Sequence, residues 1–298
     1  MKDFLTIRAL GRSDLESLID RAAGLRDAIG LGEPVEQRLL GRCVANVFFE
    51  PSTRTRLSFD LAAQRLGAHL LTFDPATAST SKGESVRDTA ITIAALGADI
   101  LVVRHAEEGV PQLIADWTGL PVVNAGDGTN EHPTQALVDA VTLKRHFGEL
   151  DGLRVGIVGD ISHSRVAGSL VHALPVLGVD VKLIGPREWL PPGAHLPAAI
   201  SFDEALPGLD VVYLLRVQTE RGGAITESYV RDYQLSLTRS SLLREDAVIM
   251  HPGPMNRGVE ITDDVADSPR SLIAEQVRNG VPARMAVLGA LAGSDAWL

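Results

Sequence analysis

One stretch decides how the chain folds, because an apolar run leads directly into a polar turn: Cys43-Val44-Ala45-Asn46-Val47-Phe48-Phe49-Glu50-Pro51-Ser52-Thr53-Arg54-Thr55-Arg56. The apolar part, 43–49, predicts a buried strand, and apolar residues at helical spacing in 57–66 predict a helix that Gly67 ends. A strand, a turn and a helix in this order are the repeating unit of a parallel α/β sheet. The first part of the chain is therefore predicted to contain such a sheet.

The same alternation continues on both sides of this stretch. A first helix is predicted to start at the capping-box sequence Ser13-Asp14-Leu15-Glu16. Further strands are predicted at 69–73, 100–103, 122–124, 154–158, 179–184, 211–215 and 247–250, and further helices at 85–96, 110–117, 133–147 and 164–177. This pattern predicts an α/β protein with two parallel-sheet domains, helices on both faces of each sheet, and long helices that join the domains.

The domain change is predicted on the long helix at 133–147, because a second series of strands begins shortly after it. Residues 1–135 are then the first domain and residues 136–274 the second. The last helix, 275–298, is apolar on more than one face, which predicts that it packs back on the first domain. Residues 186–197 are rich in proline and lack a periodic pattern, so they are predicted to form a surface loop.

Length, charge and cysteine content exclude several classes of protein. The chain has 298 residues, and 28 Lys and Arg against 38 Asp and Glu give a net charge of -10, which disfavours a nucleic-acid partner. The single cysteine, Cys43, allows neither an intrachain disulfide nor a thiolate zinc cluster. The longest apolar run, 90–103, contains Gly97 and Asp99 and is too short to span a membrane, and no signal sequence is visible. A cytoplasmic location without membrane partners is expected.

No metal and no organic cofactor are expected. The eight histidines include no H-E-x-x-H pattern, and the patterns G-x-G-x-x-G and G-x-x-x-x-G-K-[ST] are both absent. A nucleophilic triad is not supported either, because G-x-S-x-G is absent and Cys43 lies in a predicted buried strand. The chemistry is therefore expected to be non-covalent.

The turn at 50–56 is a candidate anion site. It leads into a helix start, where backbone N–H groups and the positive end of the helix dipole favour an anion. Ser52, Thr53 and Thr55 add hydroxyl donors, and the planar guanidinium of Arg54 can bind two phosphate oxygens at once. The alternative interpretation is that Ser52 or Thr53 only caps the helix.

Two further groups follow predicted strands of the first domain. Arg104 follows the strand at 100–103, and open parallel sheets bind ligands at the carboxyl ends of their strands. His132 and Gln135 lie at a helix start, on either side of Pro133 and Thr134, and could project toward the same ligand. Taken singly, Arg104 is typical of a surface residue and His132 of an ordinary neighbour of a helix cap.

The second domain offers a similar arrangement. Arg165 opens a helix after one predicted strand, and Arg216 follows another, so both are placed at carboxyl ends of a sheet. A third strand leads into the rigid loop His251-Pro252-Gly253-Pro254, which presents backbone carbonyls as much as side chains. A plain turn is the alternative interpretation of this loop.

Together these motifs resemble those of the carbamoyltransferase superfamily, and most of all the catalytic chains of its aspartate branch. The resemblance covers nearly the whole chain, and its motifs occur in the same order: Phe48-Phe49-Glu50-Pro51-Ser52-Thr53-Arg54-Thr55-Arg56, Ser81-Lys82-Gly83-Glu84, Val103-Arg104-His105, His132-Pro133-Thr134-Gln135, Leu215-Arg216-Val217-Gln218 and His251-Pro252-Gly253-Pro254. The resemblance implies a carbamoyl phosphate-binding first domain and an aspartate-binding second domain.

The resemblance also implies a role for individual residues. Carbamoyl phosphate would be held by Ser52, Thr53, Arg54, Thr55, Arg104, His132, Gln135, Gly253 and Pro254. Aspartate would be held by Lys82, Arg165, Arg216 and Gln218. The catalytic residues would be Arg54, Thr55, Lys82, Arg104 and His132. The loop at 76–82 is shorter than in some relatives, so its serines are left without a role.

The implied reaction transfers the carbamoyl group of carbamoyl phosphate to the amine of L-aspartate, giving N-carbamoyl-L-aspartate and phosphate in pyrimidine biosynthesis. The ornithine branch typically has a His-Cys-Leu-Pro loop and lacks Arg-Val-Gln, whereas this chain has Pro252-Gly253 after His251 and an intact Arg216-Val217-Gln218. Two alternatives stay open: a carbamoyltransferase for another amine such as ornithine, and a non-catalytic assembly subunit of the same fold.

The resemblance implies an assembly as well. Catalytic chains of this family form homotrimers with active sites shared between neighbours, and the loop that carries Lys82 would reach across the interface. Residues 255–261 resemble those of members that assemble with dihydroorotase or a dihydroorotase-like chain.

Overall fold

The structure is a computed structural model that describes residues 1–74, 83–191, 196–199 and 201–293. The chain divides into two compact units. The first contains residues 1–141 and the C-terminal segment from 277, and the second contains residues 142–276. Each unit has its own parallel sheet, in agreement with the α/β fold predicted from the sequence.

The first unit is built on four parallel strands in the order β2-β1-β3-β4. Its strands are β1 (Cys43–Phe48), β2 (His69–Phe73), β3 (Ile100–His105) and β4 (Val122–Asp127). Its helices are α1 (Arg12–Leu31), α2 (Thr53–Arg65), α3 (Val86–Ala95) and α4 (Val110–Thr118). Every residue of β4 is buried although β4 is the last strand of this order, because the N-terminal segment lies along its outer edge, where the Phe4 N–H donates to the Val122 carbonyl at 2.8 Å.

The second unit is built on five parallel strands in the order β7-β6-β5-β8-β9. Its strands are β5 (Arg154–Val158), β6 (Asp180–Ile184), β7 (Ala198–Ala199), β8 (Val211–Leu214) and β9 (Val248–Met250). Its helices are α6 (Arg165–Val176), α7 (Phe202–Ala205), α8 (Glu227–Tyr233), α9 (Leu237–Ser240) and α10 (Asp263–Ala266). The short elements α7 to α10 and β7 were not predicted, because they are too short to show a period in the sequence.

Two long helices contribute residues to both units. They are α5 (Pro133–Phe147) and α11 (Ile273–Leu291), and the unit boundaries fall within them. This agrees with the predicted joining of two α/β domains by long helices. None of the helices in the described part of the chain has the length and hydrophobicity needed to cross a membrane.

Strand β3 is longer than predicted, and this places one candidate residue differently. It continues to His105 instead of ending at Val103, so Arg104 lies within the strand. Arg104 is in register with Phe48 of β1, and His105 with Asp127 of β4. A strand continues as long as its neighbours pair with it, so its end depends on residues that are distant in the sequence.

Helices α1 and α2 both begin earlier than predicted. Helix α1 starts at Arg12, and its capping box joins the Asp14 carboxylate to the backbone N–H of Gly11 at 3.1 Å, so the predicted cap at Ser13 is wrong. Helix α2 starts at Thr53 rather than at residue 57, because the polar first turn carries no apolar period that would reveal it. Its predicted end is confirmed, since Gly67 follows it with φ of 82°.

The segment predicted as a surface loop is partly buried. In the described part of 186–197, Trp189 is only 8% exposed, and its ring lies 5.1 Å from the ring of Tyr229. An aromatic contact with a residue 40 positions away leaves no periodic pattern in the loop itself.

At the opposite end of the sheet, Asp210 accepts hydrogen bonds from the Arg154 guanidinium at 2.8 and 2.9 Å, and these bonds lower the pKa of Asp210.

Candidate active site

Each sheet has a point at which the order of its strands reverses. In the first unit the chain passes from β1 to β2 on one side and then to β3 on the other side of β1. In the second unit it passes from β5 to β6 and β7 on one side and then to β8 on the other. Open α/β sheets bind ligands beside such reversals, at the carboxyl ends of the strands. The segments that follow β1, β3, β5 and β8 are therefore the candidate binding segments.

The segment after β1 presents the N-terminus of α2. Ser52 is the N-cap residue with extended backbone, yet its side chain makes no capping hydrogen bond among the described residues. Thr53 already lies inside the helix, so Ser52 and not Thr53 occupies the N-cap position. The first turn carries no acidic side chain, and Arg54 is exposed whereas Thr55 is buried. The first-turn N–H groups and the Arg54 guanidinium suit a phosphate.

Arg104 lies beside this helix start, one strand away. Its side chain is only 15% exposed, and its Nε lies 3.5 Å from a carboxylate oxygen of Glu50. Glu50 belongs to the segment that joins β1 to α2, so the contact connects the ends of two neighbouring strands. Arg104 is therefore not an ordinary surface residue, which is the interpretation that its sequence position alone favours.

Buried carboxylates organise the turn between β4 and α5. Asp127 is 2% exposed and accepts hydrogen bonds from the backbone N–H of Gly109 at 2.8 Å and from the Asn124 amide at 2.8 Å. Glu131 is fully buried and accepts hydrogen bonds from the Ile7 N–H and the Thr6 hydroxyl. These bonds fix the backbone directly before His132.

His132 and Gln135 lie at the start of α5 and are 5% and 9% exposed. His132 directly precedes α5, and its carbonyl accepts the N–H of Gln135 at 2.9 Å. The side-chain Nε2 of Gln135 donates to Asp139 one turn later, also at 2.9 Å. The Gln135 side chain is therefore held in place at the start of α5.

In the second unit, Asp160 connects the ends of β5 and β8. It is fully buried, accepts the backbone N–H of Gln218 at 2.8 Å, and lies 2.6 Å from Nδ1 of His163. A Cβ on Gly223 would lie only 2.4 Å from the Asp160 carboxylate, so a glycine is required there. The carboxylate thus holds the segment 216–218 beside the start of α6, where Arg165 is 5% exposed.

Arg216 is paired within its own segment. Its Nη2 donates to the Gln218 side chain at 2.8 Å and also to the Glu220 carboxylate. Burial raises the pKa of Glu220, but the hydrogen bond from Arg216, a backbone hydrogen bond and the positive charges of Arg216 and Arg221 together outweigh burial, so the pKa of Glu220 is lowered overall. The guanidinium is 23% exposed, so an incoming carboxylate can reach it.

Glu260 joins the segments that follow β8 and β9. Its carboxylate is 1% exposed and accepts the N–H of Val217 at 3.0 Å and that of Asn256 at 2.7 Å. Burial raises the pKa of Glu260, and the two N–H groups act in the opposite direction. The loop between β9 and Asn256 contains Gly253, whose N–H donates to Nδ1 of His251 at 2.9 Å. Through Asn256 this loop is hydrogen-bonded to the buried Glu260 carboxylate, a connection that a plain turn does not require.

The candidate residues thus form two groups. The ends of β1, β3 and β4 carry Ser52, Thr53, Arg54, Thr55, Arg104, His132 and Gln135. The ends of β5, β8 and β9 carry Arg165, Arg216, Gln218, Gly253 and Pro254. Lys82 lies outside the described residues. Within the part of the chain that the structure describes, no group of three or more His, Cys, Asp or Glu side chains could hold a metal ion.

Sequence reasoning missed the carboxylates that support these groups. They are the half-buried Glu50 and the buried Asp127, Glu131, Asp139, Asp160 and Glu260. Asp160 and Glu50 stand next to candidate motifs and could have been suspected from their position after a strand. Asp139 and Glu260 lie four residues from a motif or further, and only the folded chain brings them to it.

Family models match most of the chain. Residues 2–145 match the aspartate/ornithine carbamoyltransferase, carbamoyl-P binding domain, and residues 151–291 match the aspartate/ornithine carbamoyltransferase, Asp/Orn binding domain. The chain belongs to the aspartate/ornithine carbamoyltransferase family. This confirms the resemblance found in the motifs.

Similar proteins within this family are catalytic subunits of aspartate carbamoyltransferase. The one from Acidothermus cellulolyticus is 50% identical over 98% of this chain and 93% of its own length. The one from a Parafrankia species is 52% identical over 93% of this chain and 91% of its own.

Two solved aspartate transcarbamoylase structures are similar to this chain in sequence and in fold. The catalytic subunit of M. jannaschii aspartate transcarbamoylase is 34% identical, covers 98% of both chains and has a TM-score of 0.87. The Trypanosoma cruzi enzyme in complex with N-(phosphonacetyl)-L-aspartic acid is 31% identical, covers 97% of this chain and 95% of its own, and has a TM-score of 0.89.

Proposed function

We propose that the chain transfers the carbamoyl group of carbamoyl phosphate to the amine of L-aspartate, giving N-carbamoyl-L-aspartate and phosphate as a step of pyrimidine biosynthesis. The observation that carries the proposal is the placement of arginines beside the order reversals of both sheets: Arg54 and Arg104 in one unit, Arg165 and Arg216 in the other. A similar enzyme from Trypanosoma cruzi was crystallised with carbamoyl phosphate and aspartate.

The charges of the two substrates explain why so many cations are needed. Carbamoyl phosphate and aspartate together carry about four negative charges at neutral pH, and their mutual repulsion opposes the approach of the amine to the carbamoyl carbon. Arginines oppose this repulsion, and their planar guanidinium groups hold phosphate and carboxylate oxygens in pairs. Each unit supplies one part of this set, the first for carbamoyl phosphate and the second for aspartate.

The reaction needs an activated carbamoyl carbon and a fixed approach of the aspartate amine to that carbon. Attack by the amine places negative charge on the carbonyl oxygen of the carbamoyl group, where Thr55, Arg104 and His132 would act as an oxyanion hole. The C–O bond to phosphate then breaks, and the leaving phosphate can take the proton that the amine gives up. Holding two reactants in attack geometry is worth about 7 to 11 kcal/mol in favourable cases.

The first prediction tests the amine. Incubated with carbamoyl phosphate, the protein is expected to carbamoylate L-aspartate and to leave L-ornithine unchanged, because the ornithine side chain is a cation that Arg216 and Arg165 repel. The measurement is carbamoylated product by mass spectrometry, with L-glutamate as a control for chain length. Robust ornithine product would establish the alternative amine, and no product with any amine would establish the non-catalytic alternative.

The second proposal concerns assembly: the chain forms a homotrimer with shared sites. Leu57 and Leu61, one turn apart on α2, are 60% and 39% exposed, and an apolar pair on the helix that carries Arg54 is suited to a subunit contact. The family resemblance assigns Lys82 to the neighbouring subunit's site. A dihydroorotase or dihydroorotase-like partner, and the cytoplasmic location, stay predictions from the sequence.

A shared site predicts that two inactive variants regain activity when they are combined in one trimer. Neither the Arg54→Ala nor the Lys82→Ala homotrimer has a complete site. In any mixed trimer, one junction joins an intact Arg54 to an intact Lys82, so about one site in three is expected to recover. The measurement is activity after the two proteins are dissociated, mixed and reassociated. If measurements of size and charge show that hybrid trimers have formed but the mixture stays inactive, Lys82 does not act in the neighbouring subunit's site.

A further inference from the structure

The N-terminal segment, residues 3–8, pairs with the edge of β4. The carbonyl of Phe4 accepts the N–H of Asn124 at 2.9 Å, and its own N–H donates to the Val122 carbonyl at 2.8 Å. The carboxylate of Asp3 accepts the N–H of Val122 at 2.9 Å. The side chain of Phe4 is buried. The segment therefore continues the sheet of the first unit beyond its last strand.

The segment ends on one buried carboxylate, that of Glu131. The N–H of Ile7 donates to its Oε2 at 2.8 Å. The hydroxyl of Thr6 donates to its Oε1, and Nε of Arg8 lies 2.8 Å from that same oxygen. A fully buried carboxylate is costly unless it is paired with a cation and hydrogen-bonded. Three consecutive residues of the segment provide the cation and two donors.

The backbone of Glu131 is fixed from its other side as well. The N–H of Asp127 donates to the Glu131 carbonyl at 3.1 Å, and the N–H of Glu131 donates to Oδ1 of Asp127 at 3.2 Å. Arg8 also donates through Nη2 to the Asn130 side chain at 2.7 Å, and Asn130 donates to Asp127 at 3.1 Å. The turn 127–131 is thus held between the N-terminal segment and Asp127.

His132 is the next residue along the chain. Its carbonyl accepts the N–H of Gln135 at 2.9 Å and that of Ala136 at 3.3 Å, so the backbone is fixed after His132 as it is before it. The peptide unit between Glu131 and His132 is planar, so a shift of Glu131 moves the Cα atom of His132. A displacement of about 1 Å of a group in the site can lower a rate about a hundred-fold.

We propose that the N-terminal segment is a positioning element of the site, which holds His132 in place through the contacts of Thr6, Ile7 and Arg8 with Glu131. Glu131 and the three residues of the segment are positioning residues that act through His132. The inference rests on the proposed function, which gives His132 a role in stabilising the charge that develops on the carbamoyl oxygen.

Glu131→Gln tests this role. Glutamine keeps the size of the side chain, but it has one acceptor oxygen, and its NH2 group cannot accept from Ile7 or Arg8. With saturating carbamoyl phosphate, kcat is expected to fall about ten-fold, less than for a full 1 Å displacement. The KM for aspartate is expected to stay within about two-fold, because the residues proposed to hold aspartate and described by the structure belong to the other unit.

Asp3→Ala is the matched control. It releases the same segment at its other end, where Asp3 holds the N–H of Val122, and leaves the contacts with Glu131 in place. The variant is expected to lower the thermal unfolding midpoint and to keep kcat within about two-fold of the parent.

A pair of variants at Arg8 gives a second measurement that does not depend on the folding of Glu131→Gln. The Arg8 side chain is 49% exposed, so the chain is expected to fold without it. Arg8→Met is expected to lower kcat about three-fold, because the buried carboxylate then loses its cation. Arg8→Lys keeps the positive charge and is expected to restore most of the parental kcat.

A double-mutant cycle shows whether Glu131 acts through His132. His132→Ala removes the group that is to be positioned, and Glu131→Gln in that background is expected to change kcat less than about two-fold. A further ten-fold loss in the double variant would overturn the inference, because Glu131 would then act independently of His132.

The remaining outcomes are distinct. Parental kcat in Glu131→Gln, or in Arg8→Met if Glu131→Gln does not fold, would overturn the positioning role and leave the proposed function standing. A ten-fold loss of kcat in Asp3→Ala would overturn it as well, because general loosening of the segment would then explain the effect. A folded parent that transfers no carbamoyl group to aspartate would overturn the proposed function and this inference together.

Discussion

Replacing Arg54 by lysine is expected to lower kcat by about two to three orders of magnitude, the cost of losing one donor to a developing charge. Arg54 is exposed in the first turn of α2, and the proposed function puts the phosphate at the N–H groups of that turn. Lysine keeps the positive charge but cannot form two parallel hydrogen bonds to phosphate oxygens. The measurement is kcat with saturating carbamoyl phosphate and aspartate.

Arg65→Lys is the matched control for this variant. It makes the same exchange at the last turn of the same helix, about 16 Å from Arg54 along the helix axis. Its kcat is expected to stay within about two-fold of the parent, as for a surface substitution away from the site. A near-parental kcat for Arg54→Lys would show that Arg54 does not contact the reacting phosphate.

Replacing Arg216 by alanine is expected to raise the KM for aspartate about thirty-fold, equivalent to about 2 kcal/mol for a charge-assisted hydrogen bond. The guanidinium already pairs with Gln218 and Glu220, so the expected effect lies in the lower part of the range of about 1.5 to 3 kcal/mol for a hydrogen bond to a charged group. The affinity for carbamoyl phosphate is expected to change much less, because the arginines proposed to hold its phosphate, Arg54 and Arg104, belong to the other unit. Initial rates at varied concentrations of each substrate give both values.

Arg231→Ala is the control in the same unit. Arg231 pairs with Asp232, and its side chain is 73% exposed, so its loss is expected to leave both substrate affinities unchanged. Equal effects of Arg216→Ala on the two substrates would contradict the assignment of Arg216 to aspartate. Full-strength aspartate binding in that variant would contradict it as well.

The candidate site of the first unit was only partly predictable from the sequence. The anion site beside α2 was expected at residues 52–56 because a strand end, a helix start and arginines are adjacent in the sequence, although α2 begins at Thr53 and not at residue 57 as predicted. The contact of Arg104 with Glu50 was not, because it depends on the pairing of Phe48 with Arg104 between two strands more than fifty residues apart. Local signals predict which residues lie at an edge, and register decides which of them meet.

The sequence by itself determined the α/β fold with parallel sheets, the family, and the residues at the carboxyl ends of the strands, because apolar periods and helix starts are local properties. Tertiary structure decided the rest. The orders β2-β1-β3-β4 and β7-β6-β5-β8-β9 place the candidate segments of each unit beside one another within that unit. Asp160 reaches Gln218 and Glu131 reaches Ile7 only in the folded chain. Buried charges can exist only beside partners that folding brings to them, and no local pattern encodes a partner more than fifty residues away.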